Sequence, residues 1–487
     1  MSNLKSNFLY NTLLTVTGLI TPLITFPYVT RILGPEGIGL SNFANSIVQF
    51  FLIITALGIP LYGVKLIAQA KNNIIERTQI FKELIVIRAV LTFFVLFIYI
   101  ALVFTLKQTF EHINFYLWGI AVLIINIFEI NWLFSGIEDF KYITIRSLII
   151  QIIQIVCLFL VVKSKNDVLI YFLLPFLFSL ITIVINLKYA RNFLLFEDSL
   201  KKLELRKHLK PLSIIFLSLA AISLYNLFDT VLLGLFKSDF QVGIYTAAMK
   251  INRIPIAFIM ALVPIMIPRI SVAVAENNIN EIIRLSEKTI LFVITFSIPI
   301  MGVVFFLAPE IIHLLAGKDF LQAVSTIRII SPIALIIGLT NNFSMQLLIP
   351  LGKEKQLLYA VLIGAFISII LDVILIPIFD ENGAAITNVL SELAVLIACF
   401  IFTNKTIKIA IPYKSIVINL ITVLPIFPLT LIARNFFNSD TIILVCVLLP
   451  YLFIFLLAQI FILKNYVVRE LILSTLGKFG ISNFSSR

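Results

Sequence analysis

Long apolar stretches alternate with short polar clusters from one end of the chain to the other. Taking apolar stretches of about 17 to 25 residues bounded by charged or turn-forming groups, the pattern predicts membrane-spanning helices near 8–29, 40–60, 84–106, 114–134, 143–162, 168–187, 212–234, 242–267, 289–307, 325–349, 356–379, 383–402, 415–432 and 441–463. The expected fold class is therefore an all-α polytopic membrane protein of fourteen transmembrane helices. Charge tests the count. With the N-terminus inside, the cytoplasmic segments hold most of the 37 Lys and Arg residues, as positive-inside insertion requires, and both termini are expected in the cytoplasm. The most basic segment, residues 188–210, carries Lys188, Arg191, Lys201, Lys202, Arg206, Lys207 and Lys210. It reads either as a linker lying along the lipid surface or as a solvated loop that only sets topology.

The chain also repeats itself weakly. Gly39–Ala44 lines up with Gly243–Ala248, Asn72-Asn73 with Asn277-Asn278, and Gly136–Glu138 with Gly352–Glu354, in the same order and at similar offsets. A duplicated six-span unit accounts for this. The expected organisation is an N-terminal six-helix lobe at 1–187, the basic cytoplasmic linker 188–210 and a C-terminal six-helix lobe at 211–402. Residues 403–487 then form two extra transmembrane helices and a cytoplasmic tail.

Composition sharpens the class. Of 487 residues, 60% are hydrophobic and 13% charged, against about a quarter charged in soluble domains, so soluble enzymes and nucleic-acid binders are set aside. The net charge of +12 is assigned to the cytoplasmic loops rather than to nucleic acid. Cys157, Cys399 and Cys446 lie in separate apolar runs and read as buried free thiols. Met1 to Asn7 leads into a span too long for a signal-peptide core and is expected to stay attached. Gly34, Gly37 and Gly39 follow no strand, and Gly58 to Lys65 lacks the Lys-Ser/Thr ending of a phosphate loop. No nucleotide site and no cofactor are expected. His112, His208 and His313 are isolated in sequence and read as solvated or interfacial.

Ionisable residues inside spans mark the candidate chemistry, because each costs roughly 2.5 to 3.5 kcal/mol on insertion scales unless it faces a cavity or a partner. Arg31, Arg88, Lys250, Arg253 and Arg328 are the cations, and Asp229, Glu129, Asp372 and Glu392 the carboxylates. Lys250 and Arg253 are three residues apart, so they share one helical face with Thr246. Two readings stay open for the cations. They bind phosphate oxygens of an anionic substrate, as an Arg fork does well, or they pair with Asp229, Glu129 and Asp372 for packing. The same three carboxylates are candidates for ion coupling. Pro22, Pro27, Pro255, Pro264, Pro332, Pro425 and Pro428 are expected to kink their spans.

Several runs resemble one family. They are YVTRILGPEGIG from Tyr28 to Gly39, ALGIPLYG from Ala56 to Gly63, WLFSGIE from Trp132 to Glu138, DTVLLG from Asp229, VGIYTAAMK ending at Lys250, and IPIFDENGAA from Ile376 to Ala385. The likeness is to the Wzx-type oligosaccharide flippases of bacterial polysaccharide biosynthesis, within the superfamily that includes MATE multidrug exporters and lipid II flippases. The resemblance implies two six-helix bundles around a cationic cavity in the bacterial inner membrane. It implies movement of undecaprenyl-diphosphate-linked oligosaccharide from the cytoplasmic to the outer leaflet, for O-antigen or capsule, with an ion gradient as driving force. Arg31, Arg88, Lys250 and Arg253 then line the cavity, and membrane lipids, a polysaccharide polymerase and chain-length machinery are the partners. The acidic turn Phe379–Gly383 departs from the family's usual basic or aromatic-glycine turn. A membrane polymerase or glycosyltransferase of the same pathway is the alternative from another class. A MATE-type drug exporter is the nearer rival, although cationic drugs favour an acidic cavity.

Overall fold

The computed structural model describes residues 4–70, 73–195 and 203–463, and every regular element among them is helical. The helices are α1 (Leu4–Ala56), α2 (Ile59–Ala70), α3 (Ile74–Thr105), α4 (Lys107–Glu111), α5 (Ile113–Asn126), α6 (Asn131–Gly136), α7 (Phe140–Val161), α8 (Val168–Ala190) and α9 (Arg206–Phe236). They continue as α10 (Asp239–Met260), α11 (Val263–Ala275), α12 (Ile279–Phe306), α13 (Ala308–Leu315), α14 (Ala323–Ile330), α15 (Ile333–Asn341), α16 (Glu354–Asn404), α17 (Tyr413–Val423), α18 (Ile426–Phe436) and α19 (Asp440–Leu457). Eleven helical runs are long and apolar enough to cross a bilayer. Two of them are double: Val16–Ala70 takes in the second half of the predicted 8–29 and all of 40–60, and Glu354–Asn404 covers the predicted 356–379 and 383–402. The predicted span 212–234 lies on α9, so all fourteen apolar stretches fall on helix. The protein is an all-α polytopic membrane protein. Neighbouring Phe93, Phe94 and Phe97 on α3, all about 60% exposed, form the kind of surface that lipid covers.

The breaks obey local chemistry. Within α1 the helix is interrupted at Gly34, whose φ of +67° suits glycine, and Pro35 after it disfavours helical geometry at that residue. Within α16 the interruption is Asp380 at φ +53° and ψ −133°, outside the left-handed helical region and strained for a residue that carries a Cβ. The chain doubles back there: a Cβ on Gly383 would stand 2.3 Å from the Leu375 carbonyl oxygen. The acidic turn is pinned by Gln322 Nε2, which donates to Glu381 Oε1 at 2.8 Å, and by Thr326 Oγ1, which donates to Asn382 Oδ1 at 3.0 Å. The prolines divide into two groups. Pro264, Pro332 and Pro425 each sit at a helix start after a break, and Pro428 lies in the first turn of α18, where the missing N–H costs nothing. Pro22, Pro27 and Pro255 run inside continuous helices, so the kinks expected at those three positions are not interruptions.

The chain divides into two compact units, Met1–Thr246 and Ala247–Arg487. The first contains α9, which packs on α1 and α2. Gly58, at φ +75°, makes room for it: a Cβ there would stand 2.8 Å from the Ile215 side chain. One core of this unit gathers Ile67, Leu84, Ile130, Trp132, Leu133 and Leu212. Also within it, the repeated glycines meet each other. A Cβ on Gly39 would stand 1.6 Å from the Asp239 carbonyl oxygen, and one on Gly243 would stand 2.0 Å from the Pro35 carbonyl oxygen. The contact is reciprocal in the manner of a two-fold interface, and glycine is what lets two membrane helices approach so closely. The core of the second unit includes Ile270, Leu347, Ile426 and Val447. The last helices are tied into this unit by ion pairs: Arg434 donates to both carboxylate oxygens of Glu310 at 2.6 and 2.9 Å, and His313 meets Asp440. The repeated asparagines play the same part in each unit. Asn73 caps α3 by accepting from the Glu76 amide at 3.2 Å, and Asn278 caps α12 by accepting from the Glu281 amide at 3.1 Å, as N-cap side chains do.

Parts of the predicted organisation lie outside the described residues: Lys201 and Lys202 of the linker, the extreme N-terminus and the tail from residue 464. The described flanks of the linker are docked rather than loose. Leu194 is buried, and the Leu195 amide donates to Thr78 Oγ1 at 3.0 Å. All three cysteines are free, and only Cys399 is buried.

Candidate functional site

In the first unit, α3 carries Arg88 into the interior, where it is 3% exposed. Its Nη1 donates to the Glu129 carbonyl oxygen at 3.0 Å, its Nη2 donates to Asn126 Oδ1, and its guanidinium lies 3.8 Å from Glu129 Oε2. Asn126 ends α5 and Glu129 lies in the short connection to α6, so a break between two helix segments supplies all three acceptors. Glu129 is not spent on Arg88 alone, since its Oε1 accepts from the Asn131 amide at 3.1 Å. The network runs on through side chains. Asn186 Nδ2 donates to Asn131 Oδ1 at 3.1 Å, and Asn186 Oδ1 accepts from Tyr142 and Arg146.

Arg146 is a buried cation that the sequence reading above does not single out. It is 7% exposed, held by Asn186, by Ser147 and by the Tyr142 ring at 5.4 Å. That ring stacks on Tyr189 at 3.8 Å. Among the described residues no carboxylate lies within ion-pair distance of Arg146, so two buried guanidinium groups share the charge of Glu129. A second carboxylate, Asp139, stands on the far side of the tyrosines, where it accepts from the Tyr189 hydroxyl at 2.8 Å. A cavity of about 180 Å³ adjoins this network, lined by Gln49, Asn126 and Ser179 among others.

The other candidates of the first unit lie elsewhere. Arg31, just before the Gly34 break, is exposed and donates to the Pro27 carbonyl oxygen at 2.6 Å. Asp229 on α9 is 2% exposed and accepts from the Tyr245 hydroxyl at 2.7 Å.

In the second unit, Lys250 is half-buried and Arg253 exposed, one turn apart on α10. Between them Asn252 is buried and donates to the Ile330 carbonyl oxygen at 3.0 Å, which fixes the rotation of the helix and hence the face the two cations share. Arg328 donates through Nε to the Phe305 carbonyl oxygen at 3.1 Å and lies over the Phe305 ring at 5.7 Å. Asp372 is fully buried on α16, and Ser368 donates to its Oδ2 at 3.3 Å. Of the eight candidates, then, Arg88 and Glu129 form a direct pair and Lys250 and Arg253 share a face. Arg31, Arg88, Glu129 and Asp229 belong to the first unit; Lys250, Arg253, Arg328 and Asp372 belong to the second.

One histidine, His208, corrects the reading given above; His112 and His313 are partly exposed. His208 is 2% exposed and faces Glu83 Oε2 at 2.8 Å, while His112 lies 3.5 Å from Asp239. With His313 on Asp440, each histidine meets a carboxylate. Their isolation in sequence hid partners more than a hundred residues away. His112 and Asp239 also line a cavity of about 380 Å³ together with Glu36, Lys165 and Ser238. No group of metal-ligating side chains stands together among the described residues.

The family model described as polysaccharide biosynthesis protein matches residues 4–274, and the MatE model matches residues 215–374. Among curated relatives, a protein of Escherichia coli K12 named as a candidate O-antigen transporter is 26% identical over 414 residues, covering 83% of this chain and 98% of its own. A protein of Haloferax volcanii named as a candidate low-salt glycan biosynthesis flippase, Agl15, is 27% identical over 207 residues, covering 39% of this chain and 40% of its own. Among solved structures, the lipid II flippase MurJ in an inward closed conformation superposes with a TM-score of 0.61 at 17% identity, covering 92% of this chain and all of that one. An inward-facing MATE multidrug resistance transporter of the MOP superfamily gives 0.60 at 14%, covering 79% and 94%. At these identities the structures establish likeness of fold.

Proposed function

The chain belongs to the polysaccharide biosynthesis protein family, and from that premise we propose that it is a flippase for lipid-linked oligosaccharide. Its substrate is an undecaprenyl-diphosphate-linked repeat unit, moved from the cytoplasmic to the outer leaflet of a bacterial inner membrane by alternating access, for O-antigen or capsule. The carrying observation is the family match over more than half of the chain. The alignment with the E. coli relative along nearly the whole of that protein supports it.

The charge distribution fits a diphosphate. Lys250 and Arg253 are held on one face by buried Asn252, and Arg253 and Arg31 are exposed, so the proposed anion contacts are Arg31 in the first unit and Lys250 and Arg253 in the second. Arg328 is a fourth. Arg88 sits too deep and too well paired to reach a ligand in this conformation. Its charge adds to the attraction for the anion over a distance. Asp229, Glu129 and Asp372 are proposed as exchangers of the driving ion, a role for which carboxylates inside membrane spans are suited. The reciprocal contact of Gly39 and Gly243 and the matching caps at Asn73 and Asn278 support a duplicated six-helix architecture with lobes at 1–187 and 211–402. A polysaccharide polymerase and its chain-length machinery act next on the product.

The test is mass spectrometry of lipid extracts from a strain lacking the protein, with outside-only labelling of the sugar. Complete repeat units accumulating on undecaprenyl diphosphate at the cytoplasmic side are expected. Complete single repeats that reach the outer leaflet would overturn the proposal in favour of a polymerase. The MatE match over residues 215–374 favours a second reading, an ion-coupled exporter, and an unchanged lipid pool would put it first. In complementation, Lys250→Ala and Arg253→Ala should restore flipping less well than Lys250→Arg and Arg253→Lys; full activity of both alanine variants removes the anion site.

A further inference from the structure

Glu83 is a fully buried carboxylate on α3 that nothing in the proposed transport chemistry uses. It accepts four hydrogen bonds. Gln79 Nε2 donates at 2.7 Å from the preceding turn, and the Glu204 amide donates at 2.9 Å from the end of the linker. Lys207 Nζ lies at 3.0 Å and His208 Nε2 at 2.8 Å, both from the first turn of α9. On its other side the His208 ring meets the Tyr62 hydroxyl of α2 at 3.0 Å. One carboxylate therefore fastens three separate parts of the chain, with Thr78 holding Leu195 a little over one turn away on the same helix. Both described flanks of the segment that leads into α9 are thus tied to the start of α3.

We infer that Glu83, Lys207, His208 and Tyr62 form a latch that holds the linker and the start of α9 on the first unit and that tightens when His208 takes up a proton. Lys207 and the Glu204 amide only donate, and the carboxylate only accepts. The His208 nitrogen facing Glu83 therefore carries its hydrogen, and in the neutral ring Nδ1 accepts from the Tyr62 hydroxyl. Protonation puts a second hydrogen on Nδ1. The Tyr62 hydroxyl then turns to accept, and the bond to Glu83 becomes doubly charge-assisted, shorter and stronger. Histidine is the side chain that ordinarily makes this change between pH 5 and 8. The titratable groups facing it are Tyr62 from α2, Glu83 from α3 and Lys207 beside it on α9. Exposed Glu204 completes the cluster through its ion pair with Lys207 at 3.4 Å. α9 is the element by which the chain leaves this cluster for Asp229 and α10, so a tightened latch restrains the helix that carries Asp229.

Hydrogen–deuterium exchange on the full chain in nanodiscs tests this without any substrate, so its failure leaves the flippase reading untouched, and the reverse. Protection factors corrected for intrinsic exchange are compared at pH 5.5 and pH 8 for peptides covering residues 203–212 and 76–86. In the wild type the Glu204 amide and its neighbours should be more protected at pH 5.5, on the order of tenfold, the difference between a doubly and a singly charge-assisted bond at His208. His208→Gln keeps a donor toward Glu83 and an acceptor toward Tyr62 but takes up no proton. It should show equal protection at both values, near the wild-type level at pH 8. Glu83→Gln should lose protection at both, and Lys207→Met reports on the same bond if that variant does not fold. A pH difference that survives in His208→Gln overturns the switch, and wild-type protection in Glu83→Gln or Lys207→Met overturns the latch.

Discussion

The contact between Gly39 and Gly243 makes the strongest physical demand in the first unit, and replacing either glycine by alanine tests it. A Cβ on Gly39 would lie 1.6 Å from a backbone oxygen of Asp239, and one on Gly243 would lie 2.0 Å from that of Pro35. Neither obstacle can rotate away. To reach ordinary contact the segments must part by about 2 Å in the first case and slightly less in the second, an overpacking that costs ~1–3 kcal/mol with the upper end favoured because backbone must move. The reciprocity adds a sharper expectation. Once one alanine has opened the contact, the second enters the same gap, so the double variant should cost well under the sum of the singles, with a coupling of ~1–2 kcal/mol. Gly18, with nothing within 4 Å of its built Cβ, is the control: alanine there should be neutral or stabilise by up to ~1 kcal/mol through helix propensity. Both tryptophans, Trp118 and Trp132, lie in the first unit, so their fluorescence during denaturant unfolding in detergent reports on it. Singles within ~0.5 kcal/mol of wild type would refute the close contact. Costs that add in full would refute its two-fold character.

Two further expectations come from the described contacts. Asn73→Ala and Asn278→Ala should each cost ~1 kcal/mol and should cost alike, because both caps hold an amide three residues on; unequal unfolding midpoints would separate the two repeats energetically. Glu310→Gln should cost ~1–2 kcal/mol by removing the charge and one of the two acceptor oxygens, leaving Arg434 with one amide oxygen and the Phe306 carbonyl, and the exchange Glu310→Arg with Arg434→Glu should recover part of it; no recovery would mean that backbone contacts, not the ion pair, hold α18.

The fourteen spans were legible because a bilayer imposes one local requirement, about twenty apolar residues in a row, and that requirement leaves its mark in consecutive positions. The interior obeys another rule. Arg88 finds Asn126 and Glu129 some forty residues on, Glu83 finds His208 at a separation of 125, and Glu310 finds Arg434 at 124. None of these pairings is written at helical spacing. A lone histidine at position 208 therefore reads as interfacial, although burial pairs it with Glu83. Arg146 escaped notice for the same reason, since a cation in the first turns of a span looks like a snorkelling residue until Asn186 and Tyr142 are seen to enclose it. Breaks followed local rules only where two signals coincided. Gly34 before Pro35 interrupts its helix, whereas Pro22 and Pro27 do not, because a lone proline in a membrane helix costs bonds that neighbouring groups can restore. Hydropathy thus reads the surface that lipid touches. The buried cluster of Arg88 and Arg146 belongs to the surface that lipid does not touch, and it comes into being only when distant helices close on Glu129 and Asn186.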